Sequence, residues 1–239
     1  AGKQVKKTVL ELGSNDAYVV LDDADLNTAI TACTQGRLIN NGQTCVAAKR
    51  FIVVDALYDD FKALIKEQFE QVVLGDPNDE KTTLGPMARK DLRDKLHQQV
   101  TDSVNAGASI VTGGKVAEHT GFYYTPTLLE NIKPGMPAYD DELFGPVASL
   151  IRAKDNDEAM QIANDSRYGL GGGIFSKDEQ AAIELAKHHF DTGMVNINGY
   201  GLAQPNLPFG GVKDSGYGRE HGGFGLREFV NIKTIMIND

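Results

Sequence analysis

The residue best suited to covalent chemistry is Cys45, which lies in the polar turn Asn40-Asn41-Gly42-Gln43-Thr44-Cys45-Val46. A structural cysteine usually lies inside an apolar run, where it packs as a small hydrophobe. Cys45 instead follows turn-forming and amide residues, which predicts exposed backbone N–H groups and an accessible sulfur. Such a setting favours the thiolate, the nucleophilic form of cysteine. The turn therefore predicts a nucleophile, although an ordinary loop cysteine would fit the same residues.

Two glutamates have neighbours that suggest chemical roles. Glu11 lies between two leucines in a short predicted strand. If it faces inward, desolvation raises the pKa of its carboxyl and makes it a base near neutral pH; an outward-facing position gives it no such role. Glu142 stands two residues before Phe144 in Glu-Leu-Phe-Gly-Pro. A carboxylate there could hold ribose hydroxyls while the aromatic ring packs beside another ring, and an acidic turn is the alternative.

Histidine and metal chemistry have little support. The chain has five histidines, and none lies in a recognisable motif or in His-x-x-x-His spacing. A Cys–His hydrolase is therefore disfavoured. Two cysteines cannot form a zinc site by themselves, and we expect no metal site.

Composition places broad limits on the protein class. A hydrophobic content of 41% and a charged content of 24% are typical of a soluble globular protein. The net charge of −9 argues against nucleic-acid and anionic-membrane partners, because both attract basic patches. With two cysteines there is no disulfide framework, which fits a reducing compartment, and we expect a cytoplasmic protein. No apolar run has transmembrane length.

The elements that must position these residues alternate between strands and helices. Short β-branched runs, such as 50–54 and 147–152, are separated by amphipathic stretches at βαβ spacing. This alternation predicts an α/β fold with an open, mainly parallel twisted sheet and helices on both faces. Ligands in such folds bind beyond the carboxyl ends of the strands, so we expect the site there. The segment 227–237 alternates as a strand and is predicted to pair with a partner subunit.

Four motifs together resemble the aldehyde dehydrogenase superfamily. They are Glu-Leu-Gly at 11–13, Gly-Gln-Thr-Cys at 42–45, Glu-Leu-Phe-Gly-Pro at 142–146 and Pro-Phe-Gly-Gly-Val-Lys-Asp-Ser-Gly at 208–216, in matching order and separation. The resemblance runs the length of the chain. The stretches Gly-Pro-Met-Ala-Arg at 85–89 and Ser-Gly-Tyr-Gly-Arg-Glu at 215–220 most resemble the succinate-semialdehyde dehydrogenase group.

The resemblance implies roles for both catalytic candidates. Cys45 would attack a small aldehyde to give a thiohemiacetal, and its own backbone N–H would donate to the oxyanion. Hydride transfer to a nicotinamide ring would then leave a thioester on Cys45. Glu11 would activate the water that hydrolyses this thioester. A catalytically idle relative and a thiol esterase remain as alternatives.

The same resemblance implies a cofactor site and a substrate pocket. Glu142 would bind the nicotinamide ribose of NAD or NADP, Phe144 would pack beside the nicotinamide, and the Leu12 backbone would lie near its amide. Phe209 would line the aldehyde tunnel together with loop 201–207. The full-length protein is expected to form a homo-oligomer, a dimer or a tetramer.

Two substitutions and one absence depart from the family pattern. Ser14 replaces a usual glycine, which we expect to matter little. Ile39 stands where many succinate-semialdehyde enzymes carry a carboxylate-binding arginine, and Arg37 is not a simple substitute. No phosphate-binding glycine loop follows an early strand. We therefore expect residues 1–13 to end a missing N-terminal cofactor-binding domain, 14–225 to form the catalytic domain and 226–239 to form an oligomerisation strand. We expect such a fragment to bind NAD(P) poorly and to show no appreciable turnover.

Overall fold

A seven-stranded sheet lies at the centre of the computed structural model, which describes residues 1–238. The strands of the described residues, of which seven form this sheet, are β1 (Leu10–Glu11), β2 (Ala17–Val20), β3 (Arg50–Val54), β4 (Ser109–Thr112), β5 (Thr127–Glu130), β6 (Val147–Ala153), β7 (Tyr168–Gly169), β8 (Gly172–Phe175), β9 (Asn196–Ile197), β10 (Val212–Lys213) and β11 (Gly216–Tyr217). The helices are α1 (Leu26–Leu38), α2 (Asp55–Glu70), α3 (Lys90–Asn105), α4 (Pro137–Asp140), α5 (Asn156–Asn164), α6 (Glu179–His188) and α7 (Gly222–Glu228).

The strand order is β4-β5-β6-β3-β2-β8-β9, and every neighbouring pair is parallel except β4–β5. The predicted mainly parallel α/β fold is therefore confirmed. Two short antiparallel ribbons stand apart from this sheet, one pairing β1 with β11 and the other pairing β7 with β10.

Alternating side chains of the central strands enter two apolar clusters, one on each face of the sheet. Ile52 and Val54 of β3 pack with α3, α5 and α6 on one face. Phe51 and Val53 pack with α1 and α2 on the other. This period of two, with every β3 residue buried, is what a strand covered on both faces requires. Cys33 of α1 is fully buried in the second cluster, so it fills the core and offers no accessible thiol.

The position of the candidate residues relative to the sheet differs from the expectation. Glu11 and Ser14 precede β2, Cys45 precedes β3, and Glu142 precedes β6. Since β2, β3 and β6 are parallel neighbours, these residues gather at the amino ends of the strands, not at the carboxyl ends. The prediction was wrong because the general rule concerns loops that follow strands, whereas the polar turns of this chain lead into them.

The C-terminal segment is also different from its prediction. Arg227 and Glu228, the first residues of the predicted strand, belong to α7, which begins after His221. Residues 231–238 form neither helix nor strand in the single chain, and residue 239 lies outside the described residues. A strand needs a hydrogen-bonding neighbour, so the proposed pairing with a second subunit stays a prediction.

Candidate active site

The turn that presents Cys45 is built from three successive residues with left-handed backbone conformations. Asn40, Asn41 and Gly42 have φ of 49°, 58° and 67°, which asparagine and glycine tolerate better than other residues. Asn41 Nδ2 donates to the carbonyls of Gly85 (2.9 Å) and Pro86 (3.1 Å). A Cβ at Gly42 would overlap the carbonyl oxygen of Gly145. Glycine therefore lets the cysteine turn lie directly against the loop that carries Glu142.

Gly42→Ala is expected to destabilise the chain by more than about 2 kcal/mol, because it adds both a steric overlap and a strained φ. Chemical denaturation followed by circular dichroism measures the loss. Gly223→Ala is the matched control, since a Cβ at Gly223 meets nothing within 4 Å. Gly223 lies in α7, so alanine there should be neutral or stabilise the chain by up to about 1 kcal/mol. Equal stability of the Gly42 variant and the wild type would contradict the close packing of the two loops.

Cys45 is half-buried and packs against an apolar cluster that includes Phe209. The structure thus brings the predicted nucleophile and the predicted tunnel residue together. Burial raises the pKa of the Cys45 thiol, while the charge of Lys49 and a hydrogen bond from the Val46 N–H oppose the rise. The Cys45 N–H itself donates to no acceptor within residues 1–238, which leaves it available to an oxyanion.

The side chain of Glu11 faces inward, which is the first of the two orientations considered from the sequence. It pairs with Gly216 across the β1–β11 ribbon, and a side chain at Gly216 would overlap the carbonyl oxygen of Leu10. Both Glu11 carboxylate oxygens are buried without a hydrogen-bond partner among the described residues. Burial and the charge of Glu220 raise the pKa of Glu11, and Arg219 opposes them. The Glu11 charge also raises the pKa of Cys45, so the two groups lie within electrostatic range.

The three predicted cofactor residues line one cleft. Leu12, Glu142 and Phe144 share a cavity of about 460 Å³ with Leu92, Lys95, Leu96, Gln99, Asp141 and Tyr168. Glu142 Oε1 accepts from the Ser14 N–H (3.2 Å) and pairs with Lys49 Nζ (3.3 Å). A Cβ on Gly13 would lie 2.9 Å from Glu142 Oε2, so this glycine keeps space open beside the carboxylate. The cleft therefore combines a fixed carboxylate with an aromatic ring.

Sequence reasoning missed the buried network that joins the cysteine turn to this cleft. The Lys49 ammonium donates to the Cys45 carbonyl oxygen (2.6 Å) and to Ser14 Oγ (2.7 Å). The Ser14 hydroxyl in turn donates to the same Cys45 carbonyl. Ser14 therefore matters more than expected, because its hydroxyl makes contacts that glycine could not make. The available signal was the Lys-Arg pair at 49–50, two charged residues directly before the apolar run 51–54.

Arg37 and Ile39 have different surroundings. Arg37 is fully buried and donates to the carbonyls of Gly42 (2.8 Å) and Val147 (3.2 Å), so it supports the cysteine turn from behind. Ile39 is partly exposed and lines a separate groove of about 550 Å³. The other residues of that groove are Thr34, Gln35, Leu38, Gln68, Gln71, Val72, Thr83 and Tyr200, and none of them is charged.

No group of three or more His, Cys, Asp or Glu side chains in residues 1–238 is placed to hold a metal ion. Over the same residues, no helix has both the length and the apolar character needed to cross a membrane.

Comparison with known proteins identifies the family. The model of the aldehyde dehydrogenase family matches residues 1–235. The chain is 48% identical over 235 residues to a protein of Deinococcus radiodurans named succinate-semialdehyde dehydrogenase, NADP(+), covering 98% of this chain and 49% of that relative. An Escherichia coli protein named succinate semialdehyde dehydrogenase, NAD(P)+, is 47% identical, with 98% and 51% covered.

Solved structures agree with the sequence matches. The succinic semialdehyde dehydrogenase of Streptococcus pyogenes, solved in complex with NADP+, has a TM-score of 0.96 and 42% sequence identity. The match covers 100% of this chain and 52% of that one. The chain thus spans about half the length of the relatives it matches. On these matches, the chain belongs to the aldehyde dehydrogenase family.

Proposed function

We propose that this chain supplies the nucleophile and the water-activating base of an NAD(P)-dependent aldehyde dehydrogenase. The observation that carries the proposal is the joining of two sites by one buried network. Lys49 and Ser14 hold the Cys45 turn on one side and Glu142 of the cofactor cleft on the other. The nucleophile and the hydride acceptor act on the same carbon atom, so we expect one set of residues to hold both of their sites in place.

Cys45 carries the covalent step. Its thiolate attacks the carbonyl carbon, a C–S bond forms, and the carbonyl π electrons move to oxygen to give a thiohemiacetal. The unpaired Cys45 N–H is suited to donate to that oxyanion. Burial raises the pKa of Cys45 and so disfavours its thiolate, and the reaction needs a group that accepts the thiol proton.

Glu11 provides the base for the second half of the reaction. Loss of a hydride oxidises the thiohemiacetal to a thioester, which water must then hydrolyse. The Glu11 carboxylate takes a proton from that water, the new C–O bond forms, and the C–S bond breaks to return the thiolate. Two buried oxygens without partners and a raised pKa are suited to this role.

The cleft residues fit the nicotinamide end of a dinucleotide. A bound NAD or NADP would supply the hydride acceptor. Glu142, fixed by the Ser14 N–H and Lys49, is placed to accept hydrogen bonds from ribose hydroxyls, and Phe144 and Leu12 supply the apolar wall. The choice between NAD and NADP rests on groups outside this cleft.

The proposed substrate is a small semialdehyde. The names of the relatives at 47–48% identity support succinate semialdehyde. The uncharged groove at Ile39 gives no cation for the distal carboxylate, so that contact would come from another part of the site.

Protection of Cys45 by aldehyde tests the proposal. Succinate semialdehyde is expected to slow iodoacetamide labelling of Cys45, because a thiohemiacetal removes the free thiol. Peptide mass mapping measures the labelling, and succinate, which has no aldehyde, is the matched control. The test needs no dinucleotide, because forming the thiohemiacetal transfers no hydride. We propose that residues 1–239 alone give no appreciable dehydrogenase turnover. Equal labelling with and without the aldehyde, or equally slow labelling of Cys45 and Cys33, would favour an idle relative.

We further propose that the C-terminal segment joins two copies of the chain. It carries a run of exposed apolar side chains, including Phe229, Ile232, Ile235 and Ile237, each at least 74% exposed. Such a run favours burial against another polypeptide.

A further inference from the structure

Lys49 is a lysine with almost no exposed surface. Its side chain is 1% exposed and its ammonium is surrounded by acceptors. Besides Cys45 O, Ser14 Oγ and Glu142 Oε1, Nζ reaches the carbonyls of Ala47 (3.3 Å) and Thr44 (3.4 Å). Burial lowers the pKa of Lys49, and the charges of Asp16 and Glu142 oppose that fall. The five acceptors around Nζ also favour the ammonium, which has donors and no lone pair.

The contact with the Cys45 carbonyl affects the sulfur through one peptide unit. The carbonyl oxygen of Cys45 and the N–H of Val46 belong to the same peptide group. The ammonium and the Ser14 hydroxyl both donate to that oxygen, and the Val46 backbone lies close enough to the Cys45 sulfur to lower the pKa of the thiol. A positive charge at the oxygen polarises the peptide and strengthens its N–H as a donor.

Several charged groups surround this arrangement. The buried Asp16, whose pKa burial raises to about 6, and Glu142 face Lys49 as anions, and Arg37 faces it as a cation. Asp16 and Glu11 disfavour the Cys45 thiolate, and the Tyr200 phenol lies within electrostatic range of Cys45. Among the groups that act on Cys45, Lys49 is the cation that favours its thiolate.

We propose that Lys49 is a positioning residue for the nucleophile: its buried ammonium fixes the Cys45–Val46 peptide and supplies the positive charge that favours the Cys45 thiolate. The inference rests on the proposed function, because it gives Lys49 a role in preparing Cys45 for attack. This role gives a reason for a charged residue at a buried position where an apolar side chain could pack.

The test is the pH dependence of Cys45 alkylation by iodoacetamide in the full 239-residue chain, followed by peptide mass mapping. Lys49→Met should raise the midpoint of the rate profile by about one pH unit and lower the rate at about pH 7.5 roughly tenfold. Lys49→Arg, which keeps the charge, should restore most of the wild-type profile. Lys62→Met is the matched control, because Lys62 also pairs with a glutamate (2.9 Å) but lies on α2, and it should leave the midpoint unchanged.

A second variant covers the case in which Lys49→Met does not fold because Glu142 is left unpaired. Lys49→Met combined with Glu142→Gln removes both charges and should show the same raised midpoint. An unchanged midpoint in either folded variant, or an equal rise in Lys49→Arg, would overturn the proposal. Failure of the proposed function would show differently, as wild-type Cys45 that the aldehyde does not protect.

Discussion

Replacing Cys45 by serine is expected to abolish the burst of p-nitrophenol that the wild-type chain should give with p-nitrophenyl acetate. The wild type should release about one equivalent as Cys45 is acylated and then turn over slowly. Serine keeps the size of the side chain, but its hydroxyl ionises far less readily than a thiol, so acylation should fall by at least about 10³-fold. Stopped-flow absorbance measures the amplitude and the rate of the burst.

Cys33→Ala is the control that separates the two thiols. Cys33 is fully buried in the core, and burial raises its pKa well above the usual range of a thiol, so its removal should leave the burst intact. A burst that persists in Cys45→Ser and disappears in Cys33→Ala would refute the assignment of the nucleophile. A wild type with fast repeated turnover would favour the thiol esterase alternative, since ester cleavage needs no dinucleotide.

Much of the fold could be predicted from local pattern alone. The run 50–54 is a strand with the predicted limits, and the run 147–152 is a strand that ends one residue later, at Ala153. Asp25 caps α1 by accepting from the Thr28 N–H (2.8 Å). These features depend on periodicity and capping within a few residues. The C-terminal prediction differed because 222–228 is helical and a strand beyond it would depend on a neighbour that lies outside the single chain.

The candidate site was predictable as separate motifs but not as a connected structure. Each of Leu12, Glu142 and Phe144 stands in a motif, and the structure places all three in one cleft. Lys49 carries no motif, and its role arises only because β2, β3 and β6 lie side by side. Contacts between residues far apart in the chain depend on the order of the strands, which short-range pattern does not determine.

Glu11→Gln is expected to separate acylation from hydrolysis. Glutamine keeps the shape of the side chain but cannot take a proton from water. The burst should therefore persist, because it depends on Cys45, while the steady-state rate falls by about 10²- to 10⁴-fold. The acyl-enzyme should accumulate, and intact-protein mass spectrometry would detect one added acetyl group per chain. Loss of the burst together with the steady state would instead place Glu11 in the attack step.

The pH profile gives a sharper test of the same role. Hydrolysis requires ionised Glu11, so the steady-state rate should rise with pH through the pKa of Glu11, which burial and Glu220 raise above the usual range of a glutamate. Glu220→Gln removes one cause of that rise, so the ascending limb should move to lower pH while the base is kept. Glu11→Gln should eliminate the limb. Glu220→Gln shifts the pKa of Glu11, and Glu11→Gln removes its ionisable carboxyl. A limb that stays in place in both variants would therefore mean that another group activates the water.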